Sequence, residues 1–328
     1  MPNLSRRAAL ALPLSATPLL TAGAQEWKPT QQVRLLVAAA PGGTTDIMAR
    51  LLSPRLQARW GVSVVAENRA GAGGTICTLE MVRSRPDGTT IMSGNIGPQA
   101  IAYSLVRNLQ YRPEQVLPIA GTITGPNVLV VNNGVPARNV AELAALIRAQ
   151  PGRISYASTG VGQSTHLSPV LMLQMLNAEA IHVPFRGSGP AQVDLLAGNV
   201  NFLIDNLTGV IEHIRAGRVR ALAVTSQGRS TQLPEVPAMR ETLPELANYE
   251  VNTWFGIFGP AGMTNAMVQA INAEVNAWLD LPDTQRRFAE LGGVPLKLSP
   301  EAFADFVAAE ARKWADVVQR EGLQVEAG

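Results

Sequence analysis

The stretch that decides the fold is Leu35–Leu52, "LLVAAAPGGTTDIMARLL". An apolar run of strand character stops at Pro41. Gly42 and Gly43 follow, then Thr44, Thr45 and Asp46, and a helical pattern begins. Strand, glycine loop, helix is the unit from which α/β sheets are built, because a parallel strand needs a crossover to reach its neighbour. The unit recurs. Asn68–Gly74 follows a strand candidate at Val62–Glu67, and Ser158–His166 follows one at Ile154–Ala157. Further strand candidates include Leu117–Gly121, Val128–Val131, Phe202–Asp205 and Trp254–Gly259, alternating with helical patterns such as Val140–Arg148 and Asn265–Asp280. Pro54 lies inside the first helical pattern and is expected to kink that helix or split it near Ser53.

In open α/β sheets ligands sit beyond the carboxyl ends of the strands. A helix that begins there offers unpaired N–H groups and the positive end of its dipole, which suits an anion. Glycine lets the backbone come close, and Ser/Thr hydroxyls add neutral donors. One such loop can equally be a steric turn. Two of them, at 41–46 and 158–166, point to two lobes facing one cleft. Neither is a Walker loop, since no Gly-Lys-Ser/Thr follows, and "GAGGT" at 71–75 lacks dinucleotide-fingerprint spacing.

Composition narrows the function. Met1–Ala24 has a basic head at Arg6 and Arg7, an apolar stretch broken by Pro13 and Pro18, and the small-x-small sequence Ala22-Gly23-Ala24. It reads as an export signal cleaved near Ala24, by the general secretory or the twin-arginine route, with a disordered tail as the other reading. The chain has 27 Lys+Arg against 25 Asp+Glu, and the two arginines of the signal account for the excess. A neutral mature chain argues against nucleic acid as partner. The single cysteine, Cys77, permits no internal disulfide, and His166, His182 and His213 share no metal-ligand spacing. No Gly-x-Ser-x-Gly elbow is present, so catalysis is not expected.

Taken together, the short motifs resemble the periplasmic substrate-binding proteins of tripartite tricarboxylate transporters, the Bug-type receptors. They are Pro41-Gly42-Gly43-x-x-Asp46, Glu67-Asn68-Arg69-x-Gly71-Ala72-Gly73-Gly74, Arg85-Pro86-Asp87-Gly88, Ser158-x-Gly160-x-Gly162-x-x-x-His166, His182-Val183-Pro184-Phe185-Arg186-Gly187, Asp205-Asn206 and Trp254-Phe255-Gly256. Phe185 departs from a tyrosine common at that position, and Cys77 and Pro54 are unusual. The resemblance implies a two-lobed type II periplasmic-binding-protein fold of α/β class with a ligand cleft between the lobes. Lobe 1 would be 25–124 plus 254–328 and lobe 2 would be 125–253, with crossovers near 121–128 and 252–254. It further implies a periplasmic monomer that binds a small carboxylate, delivers it to integral membrane permease subunits, and holds no metal or cofactor.

By the same resemblance the first lobe offers Gly43, Thr44, Thr45, Asp46, Ser93 and Asn95 to the ligand. The second offers Ser158, Gly162, Ser164, His166, Phe185 and Asp205. Asp46 can instead cap its helix, and His166 can instead lock its own loop. Asp205 would repel a bare carboxylate unless a water, a proton or an amine intervenes. Arg69 either steers anions or is solvated, His182 and His213 read as structural, and Trp254 packs between the lobes or stacks on ligand. Phe185 favours a ligand with an apolar part. Two other functions remain open: a receptor feeding a signalling partner, and an exported hydrolase.

Overall fold

A computed structural model of the protein describes residues 27–320 and 322–326. The export segment expected at 1–24 lies outside the described residues. In chain order the elements are β1 (Val33–Val37), α1 (Thr44–Trp60), β2 (Val64–Asn68), α2 (Thr75–Val82), β3 (Thr90–Asn95), α3 (Ala102–Leu105), β4 (Val106–Arg107), β5 (Val116–Asn132), α4 (Val140–Ala149) and β6 (Ser155–Ser158). They continue with α5 (Ser164–Met175), β7 (Ile181–Pro184), α6 (Ser188–Ala197), β8 (Phe202–Asn206), α7 (Leu207–Arg215), β9 (Val219–Val224), β10 (Asn252–Pro260), α8 (Asn265–Leu279), α9 (Pro282–Glu290), β11 (Val294–Pro295), α10 (Pro300–Arg320) and β12 (Val325–Glu326).

The main strands form one path in the order β2-β1-β3-β10-β5-β8-β6-β7. In one half β1 runs parallel to β2 and β3, and in the other β6 runs parallel to β7 and β8. The halves share β5. Its first part pairs antiparallel with β10, and its last residues pair antiparallel with β8 and β9. The sequence suggests two strands here, Leu117–Gly121 and Val128–Val131, separated by Gly125 and Pro126. The structure has one strand of 17 residues, because pairing to β10 carries the backbone through the break.

Alternation fixes what each face buries. On β5, Leu129 and Val131 pack into one apolar cluster and Val128 and Val130 into another. On β1, Leu36 joins the first cluster while Val33, Leu35 and Val37 join the second. Side chains two apart point the same way, so a sheet with apolar residues on both faces must be covered on both. Helix α1 is not split at Ser53 but runs unbroken from Thr44 to Trp60. Pro54 is exposed, so the carbonyl left without a donor one turn earlier can turn to solvent. Trp254 is buried among Phe258, Phe303 and Phe306 and donates its Nε1–H to Glu310 at 3.1 Å. No described helix is long and apolar enough to cross a membrane.

Candidate functional site

The glycine loops of both halves come together along one seam, where the strands of each half end and the helices begin. Backbone bonds and close packing join the two sides. Ala40 N–H donates to the Arg186 carbonyl at 3.0 Å, and Gln163 Nε2 donates to the Gly73 carbonyl at 2.6 Å. The hydroxyls of Thr44 and Thr208 bond to each other across it. Gly73 has φ +61° and stands so close to the Val161 carbonyl that a Cβ would lie inside 3.0 Å of it. The seam is closed.

On the first side, Gly43 precedes α1 in an extended conformation, and no side chain caps the helix. Asp46 reaches backward instead. Its carboxylate accepts from Gly42 N–H at 3.1 Å, from Arg50 Nε at 3.0 Å and from Asn68 Nδ2 at 2.9 Å. Burial pushes its pKa up, but these bonds outweigh that and hold the carboxyl below its usual range. The buried Asp46 thus closes its own loop and ties it to the end of β2. Ser93 Oγ donates to the Thr45 carbonyl and Asn95 Nδ2 to Thr45 Oγ1, both at 3.1 Å. Gly43, Thr44, Thr45, Asp46, Ser93 and Asn95 are all buried.

On the second side, Ser158 Oγ lies 2.7 Å from His182 Nε2 and accepts from Gly160 N–H at 3.3 Å. His166 Nδ1 accepts from Gly162 N–H at 3.3 Å, so this histidine does lock its loop. The His166 ring stacks on His182 at 4.2 Å, His182 on Tyr156 at 4.9 Å, and Tyr156 on Phe202 at 5.4 Å. Burial, with His182 adding to it, pushes the His166 pKa down to about 3, and burial alone takes His182 to about 4. Both rings are neutral at pH 7. Ser164 opens α5 and is buried. Asp205 is fully buried and accepts from Ser188 Oγ, Gln192 Nε2 and its neighbour's N–H at 2.7–2.8 Å. Burial raises its pKa while those bonds oppose the rise. Its carboxylate anchors the start of α6.

Five helices, α1, α2, α5, α6 and α7, begin at the strand ends along this seam, and none has a side-chain cap. By contrast α4 and α8 are capped by Asn139 and Thr264. Uncapped first turns leave N–H groups for a partner outside the chain. At the outer end of the seam a cavity of about 360 Å³ lies between the two loop sets, with Phe185 half-buried on its wall. Among the described residues no group of three or more His, Cys, Asp or Glu could hold a metal. Sequence reasoning overlooked Thr208 and Ser188, although they lie just beyond the Asp205-Asn206 and Phe185-Arg186-Gly187 motifs, and it read His182, which bonds Ser158, as structural. The strand β12 at the cavity gave no signal.

The model of the tripartite tricarboxylate transporter family receptor matches residues 48–323. The chain is 36% identical over 301 residues to BugT of Bordetella pertussis, covering 91% of each. Two solved structures superpose over nearly their whole length. Rpa4515 of R. palustris with adipate has a TM-score of 0.87 at 33% identity, covering 90% of this chain and 99% of that one. MatC from Rhodopseudomonas palustris with bound malate has 0.84 at 31%, covering 88% and 99%. The architecture is that of the two-lobed α/β binding proteins. The chain belongs to the tripartite tricarboxylate transporter receptor family, whose members are solute-binding receptors rather than enzymes.

Proposed function

We propose that this receptor works in the periplasm, captures a small carboxylate in the seam, and delivers it to the integral subunits of a tripartite permease. The observation that carries the reading is that five helices without side-chain caps begin beside the seam, with neutral Thr, Ser and Asn side chains among them. Such a site offers N–H donors and positive dipole ends without a buried cation. An anion held this way is released again more readily than one in a bidentate arginine clamp. Lobe 1 is taken as 25–124 plus 254–328 and lobe 2 as 125–253, so that each contributes half the site. Solute then stabilises the closed form by its differential affinity.

The ligand-facing groups in this reading are the backbone of Gly43 and Gly162 and the side chains of Thr44, Thr45, Ser93, Asn95, Ser158 and Ser164. Asp46, His166 and Asp205 hold the loops in shape, and Phe185 lines the outer end. A thermal-shift panel of organic acids, sugars and cations tests it. A solute at a hundred times its dissociation constant stabilises by about 2.7 kcal/mol, a shift of a few degrees. Thr45→Ala and Ser158→Ala should each reduce the shift, and Ser230→Ala, away from the seam, should not. Stabilisation by sugars or cations and by no carboxylate overturns the reading.

A further inference from the structure

The cavity at the outer end of the seam is walled mainly by apolar groups: Ala72, Val106, Val161, Pro184, Phe185 and Val325. Gly73, Gly160 and Thr75, whose hydroxyl donates to the Ala72 carbonyl at 2.8 Å, also line it. Gly160 N–H bonds directly to Ser158 Oγ, so the cavity backs onto the polar seam with one residue between. Its charged groups, Arg186 and Glu326, are of opposite sign, and both are exposed at the rim. Glu326 there faces Arg107 at 3.4 Å, in a pair more than half exposed on both sides. Water screens charges in such positions. The walls therefore offer apolar contact and little electrostatic preference.

The third wall comes from far along the chain. Strand β12 lies parallel to β4, with Val325 opposite Val106 and Glu326 opposite Arg107. This two-residue strand, held to the body of the protein by β4, finishes the cavity.

We propose that this cavity receives the distal end of the solute and selects an apolar one, an alkyl or aryl carboxylate, with Val325 and Phe185 setting its size and polarity. The proposal rests on the carboxylate reading above and adds the other end of the molecule. A volume of about 360 Å³ accepts a chain of several methylenes or one ring. Each methylene that leaves water for such a wall should raise affinity about fourfold.

The test is calorimetric titration of the full chain with straight-chain monocarboxylates from acetate to octanoate, with succinate and citrate alongside. Expected is a rise of about fourfold per methylene until the cavity fills. Val325→Asn and Val106→Asn, both on the cavity wall, should each flatten that rise while leaving acetate affinity within about twofold. Val325 lies in a short terminal strand, so an unchanged melting temperature for Val325→Asn keeps the fold out of the comparison. Binding without any dependence on chain length overturns the proposal, as does an equal loss for acetate and octanoate in the variants. Binding of succinate or citrate with no member of the series overturns it too, and leaves the carboxylate reading standing. If no carboxylate binds, both fall.

Discussion

Gly73→Ala separates closure from folding. The added methyl would meet the Val161 carbonyl oxygen, which belongs to the opposite side of the seam. Relieving the overlap requires the seam to part by about 1 Å, since a carbon and an oxygen do not approach much closer than about 3 Å. Parting strains the bond from Gln163 to the Gly73 carbonyl at 2.6 Å and the one from Ala40 to Arg186 at 3.0 Å. At about 1 kcal/mol net per bond, with some packing, the closed form should lose about 1–3 kcal/mol relative to the open one. Solute affinity should fall about five- to 150-fold.

Alanine at φ +61° also costs about 1–2 kcal/mol, but that strain is the same open or closed. Gly61→Ala supplies the control. Gly61 has φ +73° and nothing within 4 Å of an added Cβ, so it carries the strain without the clash. Both variants should melt a few degrees early, and only Gly73→Ala should lose affinity and show a larger radius of gyration in small-angle scattering with solute present. Equal affinities for the two variants would refute the argument.

Stability should fall as the pH drops from 7 to 5. His166 and His182 are neutral in the fold, with pKa values near 3 and 4, and titrate near 6.5 when unfolded. Between those values the unfolded chain binds more protons, so the loss begins near pH 6.5 and grows as pH falls. For His166 it is about 2 kcal/mol at pH 5. Urea midpoints at the two pH values check it, and a pH-independent midpoint would count against the buried stack. Asp46→Asn should cost about 1–3 kcal/mol, because it weakens the bond that closes the Gly42 loop. Arg50→Ala should cost less than about 1 kcal/mol, since Arg50 is half exposed. Urea unfolding of both variants would show equal losses if the ion pair, not the loop, governed the site.

The opening loop was legible because its signals agree: an apolar run, a proline stop, two glycines and a helical period. The loops at 158–166 and the strand before Asp205 were legible for the same reason. What misled was local chemistry overridden by pairing. Gly125 and Pro126 read as a break between two strands, yet both lie within β5, held by β10. Asp205 looks like a cleft residue by position. Its partners Ser188 and Gln192 come from a helix 13–17 residues earlier, and no spacing rule announces them. The His166–His182–Tyr156–Phe202 stack joins four separate elements, so each ring alone looks like an ordinary core residue. Strand β12 is only two residues long and pairs with β4 more than two hundred positions away, beyond the reach of any periodicity.

Where the chain passes between the halves, β5 and β10 are paired to each other, through Thr124–Trp254, Gly125–Thr253 and Pro126–Asn252. A connection of that kind behaves as a leaf spring and not as a pair of strings. A two-stranded ribbon yields to bending and twisting, but sliding one strand past the other would break the ladder. The register shift between Trp254 and Gly256 lies next to this crossing, where a bulge already bends the strand that carries it. If the two halves rock as proposed, the ribbon would confine them to nearly one path. In the proposed delivery to a permease, a partner gripping both halves from outside would sense from a single angle whether the seam is occupied.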